Sequence, residues 1–64
     1  MYSIILPCYN EIDNLKLLIV EIKNILKNFD FEIIIIDDNS EDGTEQMIIE
    51  NFSKMQNLKF IKRE

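Results

Sequence analysis

Residues 31–44, FEIIIIDDNSEDGT, constrain this chain more than any other stretch. Ile33, Ile34, Ile35 and Ile36 are four β-branched residues in succession. Such side chains are stiff about χ1 and pack well on a pleated surface. A run that is apolar at every position predicts a strand buried on both faces, as in a parallel sheet, rather than a one-sided antiparallel strand. Asp37 and Asp38 stand at its carboxyl end. In open α/β sheets that edge is where ligands bind. Neighbouring carboxylates there are costly unless they are solvated, hydrogen-bonded or opposed by a cation. On these residues alone two roles stay open. The pair faces a ligand, or it lines a polar turn and caps the next helix, since Asp and Asn are common turn formers.

The rest of the chain is organised around that strand. Residues 2–6 read as a short β-rich strand, stopped by Pro7, which cannot donate to a sheet ladder. Residues 7–10 form a tight connection. Asn10 is placed as an N-cap, with Asp13 three residues on in a capping-box-like arrangement. A helix is predicted over residues 11–28. Ile12, Leu15, Leu18, Ile19, Ile22, Ile25, Leu26 and Phe29 form its apolar face, Leu17 and Val20 widen it, and Glu11, Asp13, Lys16, Glu21, Lys23 and Lys27 lie away from it. Gly43 permits a turn, and a second helix follows from residue 42 or 44 to residue 52, with Met47, Ile48 and Phe52 on its apolar side. Residues 58–62 read as a third strand.

The order is β-α-β-α-β, with connections that suit only parallel strands. The expected fold class is α/β, a Rossmann-like parallel sheet. It brings residues 7–11 and 37–44 to one edge if the first two strands are neighbours. Right-handed crossovers in one direction put both helices on one face. Yet Ile33 and Ile35 point one way, and Ile34 and Ile36 the other. One set is therefore left uncovered, and residues 1–64 are expected to be the amino-terminal portion of a larger domain.

Totals exclude several function classes. A chain of 64 residues makes at most one small domain, and a core that size supplies only about 3–5 kcal/mol without a staple. Cys8 is the one cysteine and there is no histidine, which argues against an internal disulfide and a zinc site. The net charge of −5 argues against nucleic acid, whose phosphates need a basic footprint. Lys59, Lys62 and Arg63 are the exception and read as an exposed strand end. No segment approaches the ~18 apolar residues of a membrane span, and the start, MYSIILP, lacks the basic flank of a signal peptide.

Two stretches together carry a resemblance. SIILPCYNEIDNL and FEIIIIDDNSEDGT look like the opening of GT-A fold glycosyltransferases of the inverting family 2. The dolichyl- and polyprenyl-phosphate mannosyltransferases are the nearest subgroup, through L-P-x-Y-N-E-x-x-N-L and I-D-D-N-S-x-D-G-T. The likeness covers nearly the whole chain. It implies a nucleotide-sugar site at the strand edge, with Pro7, Tyr9 and Glu11 lining the nucleotide pocket and Ile36 and Asp38 touching the base. Tyr9 offers an aromatic face, and Asp38 can accept from base N–H groups. Asp37 is expected to hold the loop, and Asp42, Gly43 and Thr44 to shape the turn and cap the second helix. Cys8 stands where the family often has Thr, and Glu41 where it often has Pro. Cys8 has no base nearby and is not expected to be a nucleophile.

The resemblance also implies a D-x-D-type motif further along, positioning the donor diphosphate through Mg2+ or Mn2+. Asp37-Asp38-Asn39 does not have that pattern. No catalytic residue, metal ligand or acceptor site is therefore expected within these residues, nor transfer by them alone. In the whole enzyme the implied reaction moves mannose from GDP-mannose to dolichyl phosphate, with inversion, at the cytosolic face of the endoplasmic reticulum. Anchoring there would come from a further apolar segment or a partner subunit. Three other readings compete: a UDP-sugar transferase of the same fold, a receiver-type signalling module, and a non-catalytic nucleotide-binding or assembly piece. A receiver carries its acidic pair after the first strand, whereas here it follows the second.

Overall fold

The computed structural model describes residues 1–63. The elements are β1 (Tyr2–Cys8), α1 (Ile12–Ile25), β2 (Phe31–Asp37), α2 (Thr44–Phe52) and β3 (Leu58–Lys62). The strands form one sheet in the order β1-β2-β3, parallel throughout. This is the expected α/β, Rossmann-like arrangement.

Alternation along β2 sets the core. Phe31, Ile33, Ile35 and Asp37 are buried, while Glu32, Ile34 and Ile36 are half-buried. Against the first set pack Leu15 and Ile19 of α1 and Met47, Ile48 and Phe52 of α2, so both helices lie on the same face. Ile19, Ile33 and Ile35 are fully inaccessible. Each such side chain contributes roughly 1.5–3 kcal/mol on leaving water. The opposite face carries Ile34 and Ile36, with Ile5 and Ile61 exposed. It has no helix over it among the described residues, as the strand pattern predicts.

The structure differs from the sequence reading in element boundaries and in the width of the buried helix face. Pro7 does not stop β1, which continues to Cys8 and pairs Pro7 with Ile36. Tyr2 N–H donates to Asp30 C=O, so even-numbered residues of β1 turn their amides to β2. Pro7 falls among the odd ones, which face the open edge, where a missing donor costs no ladder bond. Helix α1 ends at Ile25 rather than residue 28. Phe29 N–H bonds to Leu26 C=O, and the Phe29 ring meets Tyr2 edge to face at 6.0 Å, turning the chain into β2. Finally, Leu17, Leu18, Val20, Ile25 and Phe29 are exposed rather than in the core. Leu18 and Ile25 lie seven residues apart on the flank of the apolar stripe, beyond the part that faces the sheet.

Candidate functional site

Cys8 and Asp37 are paired in register, so β1 and β2 end level. The loops that follow them, residues 9–11 and 38–43, meet at this edge. Asp38 N–H extends the ladder by donating to Cys8 C=O at 2.9 Å. Beyond it the loops are joined by side chains. Asn10 N–H donates to Ser40 Oγ at 2.8 Å, and Glu41 N–H donates to Asn10 Oδ1 at 2.9 Å. Ile12 N–H donates to Asp42 Oδ2 at 3.1 Å.

The two adjacent carboxylates have opposite fates. Asp37 shares strand parity with Ile33 and Ile35 and is 1% exposed, on the helix-covered side. Its Oδ2 accepts from Ser40 N–H at 3.0 Å, and its Oδ1 accepts from the Ser40 hydroxyl and, at 3.4 Å, from the Cys8 thiol. Its carbonyl accepts from Arg63 N–H at 2.7 Å. Asp37 therefore holds the loop. Asp38, one residue on, is exposed, and its carboxylate has no hydrogen-bond partner among the described residues.

Asn10 does not cap α1. The N-cap position is Glu11, which makes no side-chain cap bond. Asn10 has φ +50°, a left-handed conformation, whereas a residue that caps through its side chain typically has extended backbone. The cap for Ile12 N–H comes from Asp42, 30 residues further on. Asp42 Oδ1 also accepts from Thr44 N–H at 3.2 Å and from the Thr44 hydroxyl. One carboxylate thus serves both helix starts, where the positive helix ends favour it. Gly43, at φ +85°, supplies the left-handed step before α2 begins at Thr44.

The remaining candidates surround this clasp. Pro7 and Ile36 are direct partners on the face away from the helices. Pro7 and Glu11 line a shallow cleft with Leu6, Cys8 and Leu18. Tyr9 is 55% exposed. The topology thus gathers Pro7, Tyr9, Glu11, Ile36 and Asp38 at one sheet edge. Ser40 and Asn10, which join the loops, escaped the sequence reading as a pair. Their local signals, a cap pattern at Asn10 and small polar character at Ser40, did not point to each other.

Electrostatics follow from the packing. The Cys8 thiol is pushed up to about 12, first by burial, then by its hydrogen bond to Asp37 and by the charges of Asp37, Glu11 and Asp42. It remains a neutral donor and not a nucleophile. The Asp42 carboxyl is held below its usual range, chiefly by the Thr44 hydroxyl and then by the Ile12 and Thr44 amides, against the opposing effect of desolvation. Both shifts make stability depend on pH. Asp42 binds its proton more weakly when folded, so its contribution is full above about pH 4 and is lost as pH falls through the folded value. Cys8 binds its proton more tightly when folded. Its contribution is full below the ordinary thiol value of 9.0 and is lost as pH rises towards about 12. Urea midpoints should therefore form a plateau between these limits. Cys8→Ser should flatten the alkaline limb relative to wild type; identical limbs would mean that the thiol is not held in this network.

Among the described residues no group of three His, Cys, Asp or Glu is placed to hold a metal ion. The oxygens of Asp37 and Asp42 are already engaged. No helix among them is long and apolar enough to cross a membrane.

Comparison with known proteins places this edge in context. The profile of Glycosyl transferase family 2 matches residues 3–64. A dolichol-phosphate mannosyltransferase of Pyrococcus furiosus is 42% identical over 52 residues, which are 81% of this chain and 15% of the relative. CsbB of Bacillus subtilis, whose name assigns it provisionally to the glycosyltransferases, is 40% identical over 63 residues, 95% of this chain and 19% of its own. The chain thus spans 15–19% of the length of these relatives.

Proposed function

The chain belongs to glycosyltransferase family 2, and from that premise we propose that its carboxyl sheet edge recognises the nucleotide of a sugar donor. The observation that carries this reading is the division of labour at residues 37 and 38. Asp37 is consumed by the loop, while Asp38 keeps an exposed carboxylate with no partner among the described residues, beside the Tyr9 loop.

The chemistry is that of base recognition. Tyr9 presents a ring on which a planar base can stack. Pro7 and Ile36 form an apolar floor, and Glu11 lines the adjoining cleft. Asp38 accepts from base N–H groups, which guanine and uracil both offer. In the whole protein the reaction proposed is inverting transfer of mannose from GDP-mannose to dolichyl phosphate. Support comes from the 42% identity to a protein named for that class of reaction. A lipid phosphate is already an anion and needs little help from a general base. The barrier lies in aligning the reactants and neutralising the leaving diphosphate. The residues described here serve the first of these by holding the nucleotide. Neutralisation, including any Mg2+ or Mn2+, belongs to groups outside this stretch. The acceptor puts the reaction at a membrane surface, the cytosolic face of the endoplasmic reticulum where a cell has one, with anchoring by a partner subunit or an apolar segment.

A UDP-sugar transferase is the second reading, because a single carboxylate also satisfies uracil. Titration of the full-length protein with GDP and with UDP, followed by transfer assays with GDP-mannose and dolichyl phosphate, separates the two. Tighter GDP binding and lipid mannosylation support the first reading. Preference for UDP moves it to the second, and binding of neither nucleotide removes both.

A further inference from the structure

We propose that Asn10 is a positioning residue for nucleotide binding, fixing Tyr9 and Glu11 relative to Asp38. The inference rests on the nucleotide-edge reading above. Asn10 lies between Tyr9 and Glu11 in sequence, yet its polar contacts go to the other loop. Its N–H donates to Ser40 Oγ at 2.8 Å and its Oδ1 accepts from Glu41 N–H at 2.9 Å. Ser40 is anchored in turn by the buried Asp37, which also takes the Cys8 thiol. The links therefore run from Asn10 through Ser40 and Asp37 back to the end of β1.

This matters because Tyr9, at 55% exposed, has little packing of its own to set its position. Neither Asn10 nor Glu11 belongs to the core, and both are exposed. The ends of the segment are fixed by Asp38 N–H on Cys8 C=O and by Leu15 N–H on Glu11 C=O, and between them its geometry rests on the bonds that Asn10 makes and on its left-handed backbone, φ +50°. Few residues accept that conformation; Asn and Gly do so most readily. A binding group held about 1 Å out of place loses much of its effect, so the supporting contacts are part of the site.

Two substitutions separate the backbone role from the side-chain role. Asn10→Gly keeps the left-handed turn and removes the acceptor for Glu41 N–H. Asn10→Asp keeps both the turn and an Oδ1 acceptor. In the full-length protein, Asn10→Gly should raise the Kd for GDP or UDP, and the KM for the donor, by about 10-fold, with kcat changed less than about 2-fold. Asn10→Asp should return both to within about 3-fold of wild type. Should Asn10→Gly fail to fold, Ser40→Ala removes the acceptor of the other bond and should raise Kd in the same sense. A lower melting temperature with Kd unchanged, or an equal loss in the glycine and aspartate variants, overturns the inference. A wild-type protein that binds neither nucleotide overturns the nucleotide reading and this inference with it. A wild type that binds while Asn10→Gly binds equally well overturns the inference alone.

Discussion

Asp38→Ala should weaken binding of the donor nucleotide by about 100-fold if the base is guanine, and by about 10-fold if it is uracil. Each charge-assisted hydrogen bond contributes about 1.5–3 kcal/mol, and tenfold in affinity is about 1.4 kcal/mol. The guanine edge offers a carboxylate two N–H donors, whereas uracil offers one. The size of the loss, read by titration with GDP and UDP, therefore reports on the base as well as on the residue. The same substitution should leave the unfolding midpoint nearly unchanged, within about 0.5 kcal/mol, as for other exposed positions. The Asp38 bond to Cys8 C=O comes from its backbone and survives. Unaltered nucleotide affinity in Asp38→Ala would end the assignment of this residue to the base.

One residue back, the expected effect moves from binding to stability. Asp37→Ala removes the acceptor for Ser40 N–H, the Ser40 hydroxyl and the Cys8 thiol, all of them buried. A buried donor left without a partner costs about 1–3 kcal/mol. With the lost bonds to a carboxylate, the total should reach about 3 kcal/mol. A small domain has only about 0.05–0.15 kcal/mol of stability per residue, so this is a large share for 64 residues. Asp37→Asn should cost less than alanine, because its one carbonyl oxygen keeps the Ser40 hydroxyl and the Cys8 thiol, but more than nothing, because its NH2 then meets the Ser40 N–H donor to donor. Urea unfolding of the two variants checks the order. An alanine variant as stable as wild type would show that the buried carboxylate does not hold the loop.

This contrast between neighbours marks the limit of what could be read from the residues in order. The strand itself was legible, because four β-branched isoleucines in a row favour an extended, pleated backbone wherever the chain goes. So were β3 and the buried side of α2, where Met47, Ile48 and Phe52 all reach the core. The parity of β2 was legible too, but not which parity the helices cover. That choice is what assigns Asp37 to the interior and Asp38 to solvent. Asn10 illustrates the second limit. N-x-x-D before an apolar periodic run is a reasonable cap signal locally. In the fold the cap arrives from Asp42, and Asn10 bonds to Glu41, partners 30 and 31 residues away. Contacts made across that distance leave no local pattern. The flank of α1 shows a third limit. Leu18 and Ile25 fit the helical period, yet the part of the helix facing the sheet is narrower than the stripe.

The parallel register has a further consequence, in the order of events as the chain folds. Cys8 and Asp37 are 29 residues apart, and Ile33 has to find Leu58. Neither pairing can begin as a hairpin, so each waits on closure of a loop that contains a helix. β2 takes part in both and is paired along both edges only once both loops have closed. Until then FEIIIID is a short, β-prone, apolar segment of the kind that stacks between chains. Its flanks answer that hazard. Asp30 and Glu32 stand at one end and Asp37 and Asp38 at the other, so identical copies in register would set like charges on top of one another. The acidic pair that marks the sheet edge in the folded protein would thus also oppose self-association of the unfolded chain.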